Sequence, residues 1–149
     1  MTRTRIATVQ KKMTTPVVSI APDAAIDEAL DRMLRHHISG IPVVDADERL
    51  LGVVSEYDLL RLACGRDTVH DPYLVCENFM TSSVITVQQT ATMDDATQLL
   101  LDSGVRRLLV LDGERLVGIL ARREVVRHVR DQRLTSGVLS DHSLTVAGA

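Results

Sequence analysis

Two stretches of this chain carry the same residues in the same order. Residues 13–45 lie over residues 80–112 at a shift of 67. With Ala46 skipped, residues 47–60 lie over 113–126 at a shift of 66. Thirteen of these forty-seven pairs are identical, among them Met13/Met80, Thr14/Thr81, Leu34/Leu101, Asp45/Asp112, Glu48/Glu114, Arg49/Arg115 and Gly52/Gly118. Most other pairs keep their polarity, as in Val18/Ile85, Ile20/Val87 and Ile38/Val105. A register held with one single-residue gap marks a duplication, not a shared composition. Two copies also exclude a long solenoid, which needs three or more units.

Each copy reads as strand, helix, strand, strand, helix. In the first, residues 17–20 are a β-branched strand. Pro22 and Asp23 open a helix that Asp23 is expected to cap, with Asp27 and Glu28 at its positive end. Ile26, Ala29, Leu30, Met33, Leu34 and His37 fall on one helical face, and Gly40 is expected to stop the helix. Residues 41–44 and 50–54 form a hairpin around a polar turn, and a second helix runs to about Cys64. The second copy predicts a strand at 84–87, a helix lined by Met93, Ala96, Leu99 and Leu100 and ended by Gly104, a hairpin of 108–111 and 116–120, and a last helix from about Arg122 to Leu134. The repeats are therefore placed at 9–64 and 80–134. A connector lies between them at 65–79, broken by Asp71-Pro72, and a flexible tail at 135–149. The expected fold class is α/β (α+β): two β-α-β-β-α repeats related by a pseudo-two-fold axis and packed sheet to sheet. Paired clefts are left between the halves.

Composition narrows the function. Net charge is −3 and aromatic residues make up 2% of the chain, so neither a basic footprint nor a stacking platform for nucleic acid is expected. The arginines at 122, 123, 127, 130 and 133 are interleaved with Glu124 and Asp131, which fits a solvated helix face. No apolar run approaches a membrane span, and the polar, basic N-terminus lacks the apolar core of a secretory signal. Cys64 and Cys76 suit a reducing compartment, and a cytoplasmic location is expected. His36-His37 and His70-Asp71 lack further ligands at metal spacing, so no metal is expected. No nucleophile elbow, P-loop or zinc-protease motif is present, so no enzyme is expected.

Three features resemble a tandem pair of CBS domains, the module named after cystathionine β-synthase, over about residues 9–129. They are Met13-Thr14-Thr15-Pro16-Val17-Val18-Ser19-Ile20 with its echo at Met80; His37-Ile38-Ser39-Gly40-Ile41-Pro42-Val43-Val44-Asp45 with its echo at Gly104; and Gly52-Val53-Val54-Ser55-Glu56-Tyr57-Asp58 with its echo at Gly118. The resemblance implies a regulatory ligand and no catalytic cofactor. That ligand is an adenosyl compound such as AMP, ADP, ATP or S-adenosylmethionine, held between the halves. It also implies a homodimer and a regulated partner protein, here with a stand-alone pair and no fused domain. The alternative is a structural or oligomerisation module with no physiological nucleotide.

The same resemblance places the ligand residue by residue. Ser55 would contact the sugar or phosphate side and Asp58 the ribose hydroxyls, since a carboxylate is acceptor-only and suits a diol. Ser-x-x-Asp is equally a capping box, and the two roles do not exclude each other. The adenine would lie near Thr15, Pro16 and Val17 and near Ile38, Ile41 and Pro42. The second copy has Ala121 and Glu124 in place of Ser55 and Asp58, so a weaker, altered or empty second site is expected. Arg106, Arg107, Arg122 and Arg123 are candidates for phosphate across the interface, or four solvated surface arginines.

Overall fold

The protein is described by a computed structural model over residues 6–65 and 74–136. The expectations for His70, for the Asp71-Pro72 break and for the tail beyond Ser136 fall outside these residues. The order of elements is α1 (Val9–Lys12), α2 (Ile26–His36), β1 (Gly40–Val44), β2 (Leu50–Ser55), α3 (Glu56–Cys64), a 3-10 turn (Cys76–Asn78), β3 (Thr86–Gln88), α4 (Met93–Ser103), β4 (Arg107–Asp112), β5 (Arg115–Ala121) and α5 (Arg122–Thr135). The fold is mixed α/β, as the repeat pattern predicts.

Each repeat is built on an antiparallel hairpin. Ile41 lies opposite Val54 and Val43 opposite Gly52; in the second copy, Leu108 lies opposite Leu120 and Val110 opposite Gly118. The period of two decides which face is buried. Ile41, Val43 and Val54 pack on the helices of the first repeat, and Leu108, Val110 and Leu120 on those of the second. Pro42, Val53, Leu109 and Ile119 point the other way, toward the opposite repeat.

Four local expectations need correction. The strand predicted at 17–20 shrinks to a single parallel bridge, Ile20 with Val43, whereas β3 pairs with β4 over three residues. The cause is Pro22. Its counterpart Gln89 donates its N–H to Leu111 O at 2.8 Å, and proline has no hydrogen to give Val44. Asp23 does not cap α2. The cap is Ala25, and the Ile26 N–H is taken by Leu74 O at 2.9 Å. His37, not Gly40, ends α2, in the left-handed region at φ 53°, where Gly104 sits at the end of α4 with φ 71°. Leu34 belongs to the expected apolar face yet is 75% exposed, as is its twin Leu101 at 72%.

The two repeats exchange segments. Val9, fully buried, and Met13 pack into the core of the second repeat. Leu74, Cys76, Phe79 and Met80 pack into the core of the first. The hydrogen bonds are reciprocal. Val9 N–H donates to Ala91 O and Met93 N–H to Ala7 O; Cys76 N–H donates to Ala24 O and Ile26 N–H to Leu74 O, each at 2.9 Å. Thr14 then bridges Ile119 on β5, and Thr81 bridges Val53 on β2. On the axis between the halves, Leu50 N–H meets Glu114 O and Leu116 N–H meets Glu48 O, around an Arg49–Arg115 bridge. Each contact maps onto its partner under the sequence shift, which establishes the pseudo-two-fold relation.

This exchange explains the duplicated glycines. A Cβ on Gly52 would stand 2.7 Å from Thr81 O and 2.9 Å from the Met80 sulfur, and one on Gly118 would strike the Met13 side chain. Gly52→Ala is therefore expected to destabilise by about 1–3 kcal/mol in urea unfolding. Gly118→Ala is expected to cost less, because a methionine side chain yields where a backbone carbonyl does not. The cysteines differ as well. Burial, and then the Glu28 carboxylate, pushes the Cys76 thiol up from 9.0 to about 11, while Cys64 is exposed. An aromatic disulfide reagent at pH 8 is expected to titrate Cys64 in the native protein and Cys76 only after unfolding.

Candidate functional site

The outward faces of the two hairpins oppose each other across a cavity of about 570 Å³. This is within the ~300–1,000 Å³ range of small-molecule sites. Its walls are repeat equivalents: Thr14 and Thr81, Val17 and Val84, Ile38 and Val105, Pro42 and Leu109, Val53 and Ile119. The cleft thus straddles the pseudo-two-fold axis. Its middle is aliphatic, and Ser39, Ser55, Thr81, Ser83, Thr14 and Arg107 add polar groups.

The expected capping box is present at the start of α3. Asp58 Oδ2 accepts from the Ser55 N–H at 2.8 Å and from Ser55 Oγ at 2.9 Å, and the Asp58 N–H donates to Ser55 Oγ at 3.2 Å. Among the described residues nothing donates to Asp58 Oδ1. Ser55 lines the central cleft. Asp58 lines an adjoining groove of about 480 Å³ with Arg61, Asn78 and Thr81, and Thr81 is the wall common to both.

The equivalent corner of the second repeat is arranged differently. Glu124 Oε2 accepts the Ala121 N–H at 2.7 Å, and Glu124 Oε1 accepts the Thr14 hydroxyl at 2.9 Å. Both carboxylate oxygens are engaged within the protein. Ala121 offers no hydroxyl. The extra methylene of Glu124 lets the side chain cap its own helix and still reach across to Thr14.

The other expected residues divide. Pro16, Val17, Ile38 and Pro42 line the cleft. Thr15 does not; it lines a separate cavity with Glu48 and Arg115. Ile41 is fully buried in the core of the first repeat, because strand alternation turns it away from Pro42. Of the four arginines, only Arg107 lines the cleft; its Nη2 donates to Ser39 Oγ at 3.3 Å. Arg122 turns onto Gly104 O at 3.2 Å, where it complements the negative end of α4, and this accounts for a cation in the first turn of α5. Arg106 and Arg123 are exposed and line none of these cavities. Sequence reasoning missed Thr14, Thr81 and Ser83. The signal for the first two was the identity of Thr14 and Thr81 at exposed positions. Among the described residues no three His, Cys, Asp or Glu side chains cluster for a metal, and no helix is long and apolar enough to cross a membrane.

Comparison with known proteins agrees with this architecture. The sequence model of the CBS domain matches residues 6–65 and 76–131. The chain is 34% identical over 134 residues to the chloroplastic CBS domain-containing protein CBSX2 of Arabidopsis thaliana, covering 72% of this chain and 56% of that protein. It is 31% identical over 118 residues to the CBS domain-containing protein YhcV of Bacillus subtilis, covering 78% and 81%. The chain spans little more than half the length of the chloroplastic relatives CBSX1 and CBSX2. Among solved structures, the CBS-pair protein CBSX2 from Arabidopsis thaliana superposes with a TM-score of 0.73 at 34% identity, covering 86% of this chain and 97% of that one. Its complex with AMP gives 0.72 at 32% identity, covering 85% and 98%. The likeness to inosine-5'-monophosphate dehydrogenase of Methanocaldococcus jannaschii covers 21% of that enzyme and carries none of its chemistry to this chain. This chain belongs to the CBS domain family and carries the domain twice, as a CBS pair.

Proposed function

We propose that this CBS pair is a regulatory binding module, not an enzyme, and that it takes an adenosyl ligand (AMP, ADP, ATP or S-adenosylmethionine) into the cleft between its repeats. One observation carries the reading. An apolar slot of nucleoside size ends, at the first repeat, in the Ser55 hydroxyl, and Asp58 stands beyond Thr81 with one carboxylate oxygen to which no described residue donates. The aliphatic walls suit a purine, and that oxygen suits a ribose diol. The relative CBSX2, solved in complex with AMP, supports the ligand class.

The test is calorimetry on the wild type, Asp58→Asn and Asp58→Ala. The asparagine keeps an acceptor for the Ser55 N–H, so it separates the cap from the site. AMP binding is expected to fall roughly ten- to a hundredfold in both variants, the worth of a hydrogen bond to a charged group. Asp58→Ala alone also loses about 1 kcal/mol of stability with the cap. Equal AMP affinity in all three proteins removes Asp58 from the site. The closed Thr14–Glu124 corner favours a second reading, a structural module without nucleotide. A thermal-shift panel of the four ligands decides between the two readings. A ligand at 100 times its Kd adds about 2.7 kcal/mol, and no response from any of them selects the structural reading.

The signal would leave through self-association or a partner protein. Leu34 and Leu60 on α2 and α3, and their twins Leu101 and Val126 on α4 and α5, are 60–75% exposed, in two equivalent patches. Patches repeated by the internal symmetry suit a second copy of the chain. Leu60→Glu and Val126→Glu are each expected to shift the sedimentation coefficient toward the monomer. Unchanged sedimentation in both removes these patches from the interface.

A further inference from the structure

Pro16 and Val17 line, besides the cleft, a smaller cavity of about 310 Å³. Its other walls come from the first hairpin and from the start of β5. The polar side chains on it are Thr15, Ser19, Glu48 and Arg115. Among the described residues none of these four side chains makes a hydrogen bond or an ion pair. The pseudo-two-fold relation leads one to expect otherwise. Arg49 Nε meets Glu114 Oε2 at 3.8 Å, and under the sequence shift that pair maps onto Arg115 and Glu48. The mapped pair is not formed. The two hairpin turns differ by one residue, Ala46. The longer turn puts Glu48 in the left-handed region at φ 62°, where the shorter turn puts Gly113 at φ 64°. Glycine takes this conformation freely and an L-residue takes it under strain. The first turn thus holds a carboxylate, at a conformational cost, away from the arginine that its twin pairs with.

An acid and a base on the walls of one small cavity, not neutralised by each other, complement a ligand that carries both charges. A guanidinium gives a carboxylate two parallel bonds, and a carboxylate accepts from an ammonium. The Thr15 and Ser19 hydroxyls can donate or accept at either end. The rest of the wall is aliphatic, with Val17, Val44 and Val117 among it. The geometry points to this cavity as a binding site for a small aliphatic α-amino acid. Its carboxylate lies at Arg115, its ammonium at Glu48 and its side chain against the valines. The volume is little more than half that of the cleft and stands at the low end of the ~300–1,000 Å³ range of small-molecule sites, which suits a molecule of this size. The site is independent of the adenosyl reading, since it uses neither Ser55 nor Asp58.

The test is isothermal titration of the full chain with L-leucine, with L-leucinamide, which lacks the carboxylate, and with isocaproate, which lacks the ammonium. The wild type is expected to bind leucine about ten- to a hundredfold more tightly than either, since each has lost one charge-assisted contact. In Arg115→Met, leucine and leucinamide are expected to bind alike. In Glu48→Gln, leucine and isocaproate are expected to bind alike. Arg49→Met, at the twin position, is expected to bind leucine as the wild type does. Glu48→Gly is expected to raise the thermal midpoint, because it relieves the turn, and to lose the preference for leucine over isocaproate as Glu48→Gln does. Weaker binding in a more stable protein separates the site from the fold. No binding of leucine by the wild type at millimolar concentration overturns the inference. So does equal binding of the three compounds, or a preference for leucine that survives Arg115→Met or Glu48→Gln. Each of these outcomes leaves the adenosyl reading standing.

Discussion

Val9 and Cys76 are completely buried, and each lies in the core of the repeat that it does not introduce. Each fills a space that the opposite hairpin and helices leave open. A fully buried valine contributes ~1.5–3 kcal/mol, so neither core is complete without the other's leading segment. Backbone bonds add direction to this burial. The first free N–H of α2 and that of α4 find their acceptors on the exchanged segments, at Leu74 and Ala7, where a helix of ordinary design uses a side chain of its own. The threonines that follow, Thr14 and Thr81, are then laid against the last strand of the opposite repeat. This fixes the distance between the sheets and so the width of the cleft.

The cleft inherits the symmetry of this exchange and departs from it at three positions. Aliphatic residues line it from either side in equivalent pairs, which gives a slot with no preferred end. Direction comes from three substitutions between the copies: Ser55 against Ala121, Asp58 against Glu124, and Gly40 against Arg107. A single methylene separates aspartate from glutamate, yet it changes what the acid touches. Asp58 closes a local ring with Ser55 through one oxygen, and among the described residues nothing donates to the other, whereas Glu124 spans to Thr14 and ties the corner shut. The duplication supplies the cavity, and the divergence supplies its polarity.

Much of the fold was legible because its determinants are local. The hairpins, the helices α2 to α5 and the glycine at the end of α4 follow from period and turn chemistry. The errors also have local causes, such as Pro22 withholding one hydrogen from the sheet and His37 taking a left-handed conformation that an L-residue seldom adopts. The exchanged segments were not legible. Val9 meets Ala91, and Cys76 meets Ala24, across separations that no periodicity encodes. For the same reason four arginines looked alike in the sequence. Which of them reaches the cleft depends on where each side chain finds an acceptor: Arg122 finds one at Gly104, and Arg107 finds one in the other repeat.

Because Ala7, Val9 and Met13 are anchored in the second core and Leu74, Cys76, Phe79 and Met80 in the first, the covalent link between the halves is mechanically redundant. Cutting the chain between Gly65 and Leu74 would yield two fragments, each still holding a piece of the other like clasped hands. They would part only if both grips opened together.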